Sequence, residues 1–180
     1  VKHIYHNANS DENPTFLKKF YDHCDATFKS VGGKGEFYMV GEQFSDAAEV
    51  APYYKGIPAL FEFSFWWRLK DCINSGDGSS FVGTIQGYQK LYSGYRLDYI
   101  EATKLSNHDE DRVGSDLGKN VDKMKLAGAV LLTAGGQPYI YQGEELGYWG
   151  SKSGGDEYVR TPIMWNADGS SLADGKLSGK

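Results

Sequence analysis

Cysteine is scarce. Cys24 and Cys72 are the only two in 180 residues, with neither metal-ligand spacing nor the density of a disulfide scaffold, so both read as buried or incidental thiols. No apolar run approaches the roughly 20 residues that a membrane span needs. A basic excess is lacking as well: 19 Lys and Arg stand against 24 Asp and Glu, a formal net charge of -5, and no basic cluster could neutralise a phosphate backbone. No nucleic-acid partner is expected. The first residues, VKHIYHNANS, lack a charged region followed by an apolar one, so no secretory leader is read there. Dinucleotide, Walker and zinc motifs are missing, and the Gly-Gly pairs and Gly143 match no phosphate-binding fingerprint.

What remains is globular material. Hydrophobic residues make up 40% and aromatics 14%, enough for a packed core, and the length suits one domain. From Asp11, apolar residues at near-helical spacing (Phe16, Leu17, Phe20, Phe28) predict a helix of about five turns that stops at Gly32-Gly33. EFYMVGEQF then reads as a buried strand with Glu42 at its C-terminal end. VAPYYKGIP reads as a connection, ALFEFSF as a second strand, and FWWRLKDCI as the start of the next helix. After a loop at NSGDGSS, the amphipathic stretch FVGTIQGYQKLYSGY leads to a third strand, IEATKLS, ending in Asn107-His108-Asp109. Lys119 to Thr133 reads as the clearest helix, and PYIYQ as a fourth strand.

Strands alternating with helices predict an α/β fold of parallel βα units with right-handed crossovers. Polar residues recur just past the strand C-termini, where (β/α)8 TIM-barrel enzymes carry their chemistry. Four units make half a barrel, and a full one needs about 200 to 250 residues, so residues 1–150 read as the C-terminal half of a barrel. Residues 151–180 are rich in Gly, Ser and Asp and read as an active-site loop and the exit from the barrel.

Glu42 and Asp109 are the carboxylates that stand out. Glycoside hydrolysis needs such acids, because one must protonate the leaving oxygen while negative charge faces an oxocarbenium-like transition state. The plainer alternative is that each caps the helix that follows. Three adjacent polar groups in Asn107-His108-Asp109 suit recognition of sugar hydroxyls. Tyr53, Tyr54, Trp66, Trp67, Tyr148, Trp149 and Trp165 lie near expected loops and offer stacking faces, with core packing as the alternative, preferred for at least one of Trp66 and Trp67. His6 and His23 have no partner by spacing.

These residues resemble the α-amylase family, glycoside hydrolase family 13. MVGEQF resembles that family's fifth-strand motif, KLSNHDEDR the seventh-strand motif and GGQPYIYQGEELG the eighth-strand region, while Val1-Lys2-His3 looks like the tail of the fourth-strand motif. VAPYYKGIPALFEFSFWWRL, TKLSNHDEDR and GDEYVRTP look most like the cell-surface α-amylases of bacterial starch utilisation systems, which implies a cell-surface or periplasmic setting. The resemblance implies a partial (β/α)8 barrel, roughly strands 5–8 with the helix preceding strand 5, from a retaining enzyme that hydrolyses internal α-1,4 bonds of starch-like glucans.

By that resemblance Glu42 is the general acid/base and Asp109 the transition-state stabiliser, with His108 on the same sugar. Lys2 and His3 would hold the sugar on the leaving-group side, and Asp156 and Arg160 the sugar one further toward the non-reducing end, unless those two are an ordinary surface ion pair. The family's nucleophilic Asp would lie two residues ahead of Val1, so the 180-residue chain alone is expected to hydrolyse nothing. The calcium of the complete protein would take most of its ligands from outside this chain, apart from a backbone carbonyl at His3. Implied partners are starch or malto-oligosaccharide, the N-terminal half of the barrel and starch-utilisation surface proteins. Two alternatives stay open: an α-1,6- or oligosaccharide-specific glucosidase or neopullulanase, since RTPIMW resembles oligo-1,6-glucosidases, and an inactive glucan-binding remnant.

Overall fold

A computed structural model describes Tyr5, Asn7 and residues 10–165. The elements run α1 (Glu12–Ser30), β1 (Val40–Gly41), α2 (Ala47–Val50), a 3-10 turn (Ala51–Lys55), β2 (Ala59–Glu62), α3 (Phe63–Ser75), α4 (Phe81–Ser93), β3 (Ile100–Lys104), α5 (Val113–Asp116), α6 (Val121–Thr133), β4 (Gln137–Tyr139) and α7 (Asp156–Val159). The strands form one four-stranded sheet in the order β1-β2-β3-β4. β1 and β3 both pair parallel to β2, with Val40 opposite Ala59 and Leu60 opposite Glu101. Chain order equals spatial order, as in a (β/α) barrel wall. Among the described residues, no helix is long and apolar enough to cross a membrane.

The chain divides into two compact units. Of the described residues, the first comprises those up to 65 with 79–103 and 135–137; the second comprises 66–78, 104–134 and 138–165.

In the first unit, Tyr21 of α1, Val50 of α2, Tyr53 and Tyr54 of the 3-10 turn, Leu60 of β2 and Tyr92 of α4 pack into one core. Tyr54 sits in a triangle of rings, 5.1 Å from Tyr92 and 5.4 Å from Tyr99 between centroids. The polar-aromatic connection is therefore core, and Tyr53 and Tyr54 offer no face to a sugar. Asn13, buried at the start of α1, accepts from the Tyr5 backbone N–H and donates to the carbonyls of Tyr5 and Asn7.

Each strand is shorter than its sequence pattern. β1 covers two residues of the nine in EFYMVGEQF. As the end strand of the sheet it has a single neighbour, and the Phe37 N–H donates to Asp25 (2.9 Å) instead of to a strand. β2 stops at Glu62 because that carboxylate accepts from the Phe65 N–H (3.3 Å), turning the chain from strand directly into α3. β4 ends at Tyr139, before Ile140, Tyr141 and Gln142, which the pattern had included. The Tyr141 N–H donates to Glu144 (3.2 Å) and the Gln142 carbonyl accepts from Arg112 (2.8 Å). β3 stops two residues short of Ser106, whose hydroxyl donates to Glu144.

In the second unit, Trp66 is buried and its indole N–H donates to Asp116 (3.0 Å), which also receives Lys70 (3.3 Å). α6 starts at Val121, two residues later than its pattern, where the Asn120 side chain accepts from the Lys123 N–H (3.0 Å).

Two acids lie on one side of the sheet. The register sets Leu60 beside Glu101 and Glu62 beside Thr103, so Glu62 and Glu101 share a face. α4 covers it: the Tyr92 hydroxyl donates to Glu62, and Gln89 reaches Glu101 (3.4 Å). Burial pushes the carboxyl of Glu62 up, and burial, reinforced by Glu62, pushes Glu101 up to about 7. A raised folded-state pKa means that Glu101 stabilises the fold fully below its ordinary value of 4.5, and that this contribution is lost as pH rises through about 7. Thermal unfolding across pH 4.5 to 8 is expected to show stability falling with pH, by on the order of 3 kcal/mol from Glu101. Glu101→Gln should flatten the profile; parallel profiles for variant and wild type would refute the assignment.

Candidate active site

The loop after β1 carries Glu42, half-buried and belonging to the first unit. Gly41 precedes it because a Cβ there would run into Ile57. Downstream, Asp46 caps α2 by accepting from Ala48 and Glu49 (2.9 and 3.1 Å), and the Ser64 hydroxyl accepts from the Ala47 N–H (2.9 Å). Phe44 packs edge-on against Phe63 at 4.6 Å. The helix cap is thus Asp46, and Glu42 has a different place: the first position past the strand.

The loop after β3 belongs to the second unit. The Asn107 side chain accepts from the Asp109 N–H (2.8 Å), a local turn that presents His108 and Asp109 at the surface. Asp109 Oδ2 lies 3.4 Å from His108 Nε2, and Asp109 Oδ1 receives Arg160 at 2.8 Å. Arg160 also donates through Nε to the His108 carbonyl (3.1 Å) and pairs with Asp156 (2.9 Å). The sequence-predicted residues His108, Asp109, Asp156 and Arg160 therefore form one cluster. Asp156 and Arg160 are an ion pair one helical turn apart, and their connection to Asp109 makes them more than an isolated one. Lys2 and His3, including the His3 carbonyl assigned to calcium, lie outside the described residues. Among the described residues, no group of three or more His, Cys, Asp or Glu is placed to hold a metal ion.

Three charged residues that the sequence reading passed over shape the second unit's loops. Lys152 joins the cluster, pairing with Asp156 and lying 3.7 Å from Asp109. Lys152 helps hold the Asp156 carboxyl below its usual range. Glu144 accepts from the Ser106 hydroxyl and the Tyr141 N–H, and burial pushes its carboxyl up to about 7. Arg112 is fully buried and donates to the carbonyls of Gln142 (2.8 Å) and Thr161 (3.4 Å), with its guanidinium over the rings of Tyr141 and Tyr148. Burial pulls its pKa below the usual arginine range. Glu144 and Arg112 stand inside the quoted GEELG and NHDEDR motifs, so proximity to the motif was the available signal; Lys152 had none.

Between Tyr148 and Trp165 the described residues carry regular local structure. They form a 3-10 turn (Lys152–Gly154) and α7, and Gly150 sits so close to the Tyr158 carbonyl that a Cβ would overlap it. Tyr148 is buried and its hydroxyl accepts from the Met164 N–H (2.8 Å). Trp149 is half-buried with the Lys119 ammonium 3.3 Å above its ring, while Trp165 is exposed.

Residues 2–175 match the family model described as α-amylase, catalytic domain. The chain belongs to the α-amylase family. It is 61% identical over 165 residues to "Alpha-amylase SusG" of Bacteroides thetaiotaomicron, covering 92% of this chain and 24% of that protein. It is 35% identical over 168 residues to "Alpha-amylase 3" of Dictyoglomus thermophilum, covering 93% of this chain and 32% of that one. Among solved structures, the α-amylase of H. orenii superposes with a TM-score of 0.78 at 30% identity, over 99% of this chain and 34% of that chain. The chain thus spans about a quarter to a third of the length of these relatives. Its four parallel strands are part of an α-amylase barrel.

Replacing Arg112 tests how the second unit's loops are held. Arg112→Met keeps the apolar stem but strips the Gln142 carbonyl of its buried donor, and is expected to cost about 2–4 kcal/mol in the protein that carries this chain. Arg112→Lys, which keeps the charge but not the fork, should recover part of that; thermal unfolding of both variants measures it.

Proposed function

We propose that this chain supplies the acid/base and much of the sugar-binding surface of a retaining α-amylase that hydrolyses internal α-1,4 bonds of starch-like glucans. The network joining Asp109 to Asp156 through Arg160 carries this reading, supported by 61% identity to an α-amylase.

In the proposed mechanism Glu42 protonates the glycosidic oxygen as a carboxylate nucleophile, contributed from outside this chain, takes the anomeric carbon. Glu42 then removes a proton from the water that releases the covalent intermediate. Asp109 and His108 bind hydroxyls of the sugar that flattens toward the oxocarbenium ion, where the negative charge of Asp109 is worth most. Asp156 and Arg160 hold the next sugar toward the non-reducing end, and Lys2 with His3 holds the leaving side. The family commonly binds calcium; in this proposal most of its ligands come from outside the chain, and the steps above use the chain's own side chains. The N-terminal half of the barrel is a required partner.

In the complete enzyme, Glu42→Gln is expected to lower starch hydrolysis about 10²–10⁴-fold while glucan binding, measured by calorimetry, is kept. Asp109→Asn should lower it about 10²–10³-fold. Unchanged turnover in either variant would overturn the corresponding role. Amylose is expected to be cleaved in preference to isomaltose, and the reverse product profile would instead favour the α-1,6 reading.

A further inference from the structure

The charges past β3 close into a ring. Asp109 Oδ1 faces Arg160 at 2.8 Å and Lys152 at 3.7 Å, while Asp156 takes Arg160 on Oδ2 at 2.9 Å and Lys152 on Oδ1. Two cations alternate with two carboxylates. All four side chains are 36 to 52% exposed, so the ring contributes little to stability and its value must lie elsewhere.

Lys152 is placed by more than charge. Its backbone N–H donates to Asp111 Oδ1 (2.5 Å), and the hydroxyl of Ser151 donates to the same oxygen (3.0 Å). Asp111 lies two residues beyond Asp109 on the loop after β3, so the same loop that presents Asp109 also anchors the base of the lysine that faces it. With both cations on Oδ1, Asp109 Oδ2, beside His108, is the oxygen left toward an incoming hydroxyl.

We propose that Lys152, anchored by Asp111, is a positioning residue that couples the two sugar-binding carboxylates, so that a glucan long enough to engage Asp156 also sets the orientation of Asp109. This rests on the site reading given above. A lone ion pair between Asp156 and Arg160 would leave Asp109 tied to Asp156 through one cation. The second cation makes the link two-armed: both cations meet Asp109 on Oδ1, and each takes one oxygen of Asp156.

The test is a double-mutant cycle in the complete enzyme, with kcat and KM measured on maltoheptaose. Lys152→Met is expected to lower kcat/KM about tenfold, and Asp156→Asn added to it should cost far less than Asp156→Asn alone, as coupled residues do. Lys152→Arg should restore most of the loss, and Asp111→Ala should lower kcat/KM in the same direction. Thermal unfolding of Lys152→Met should match wild type, separating positioning from folding. Independent, multiplicative effects of the Lys152 and Asp156 substitutions, or a Lys152→Met enzyme within twofold of wild type, would overturn the coupling while leaving the site reading intact. A wild-type enzyme that cleaves no α-glucan would overturn both.

Discussion

Parallel pairing is the constraint on which the architecture depends. When β1 and β3 both run alongside β2 in the same direction, each connection must cross back over the sheet, and α4 lies over the face that carries Glu62 and Glu101. The strand C-termini then line one edge, and the loops that leave it are free of ladder bonds. Glu42 and Glu62 stand at the ends of β1 and β2 for that reason. One of them is half-buried and proposed as catalytic; the other is buried, bonded to Tyr92 and used to start a helix. The end of β1 thus leads into a proposed catalytic acid, and the end of β2 carries an acid that shapes the fold.

Beyond the strands, charge organises the loops more than apolar packing does. Arg112 ties two loop carbonyls together, Asp111 anchors the turn at Ser151 and Lys152, and Glu144 gathers Ser106 and Tyr141. Such loops can be rigid yet wet. That would suit the proposed glucan substrate, because a charged side chain with a fixed direction distinguishes hydroxyl positions where an apolar wall could not. The cluster around Asp109 is the clearest instance: its members are individually exposed, and what orders them is their mutual arrangement.

Most of the loop-proximal aromatic residues go to the core, the alternative kept open for all of them and preferred for at least one of Trp66 and Trp67. Tyr53, Tyr54, Trp66 and Tyr148 all lie near loops in the sequence, and all are buried. Tyr54 and Trp66 show why: each satisfies its polar atom internally, Tyr54 on the Ile100 carbonyl and Trp66 on Asp116, so a large ring could be spent on the core without stranding a donor. Periodicity could not reveal this, because the acceptors lie 46 and 50 residues away in the chain.

The amino-acid sequence by itself determined the order of strands and helices, since alternation of strand-forming runs and amphipathic helices is a local property. It also determined the family, through motifs whose residue types are adjacent in the chain, as in Asn107-His108-Asp109. Strand lengths were overread because a β pattern records what a segment favours, and neighbours decide how much of it pairs: Phe37 bonds Asp25, and Phe65 bonds Glu62. Tertiary structure alone decided that Lys152 belongs with Asp109 and Asp156, that Asp46 and not Glu42 caps the next helix, and that Glu101 and Glu144 are the acids that burial pushes up to about 7. The Asp46 cap is a local bond, but the meeting of Lys152 with Asp109 and the burial of Glu101 and Glu144 depend on distances across the fold, and electrostatic interaction follows separation in space, which spacing in the chain does not encode.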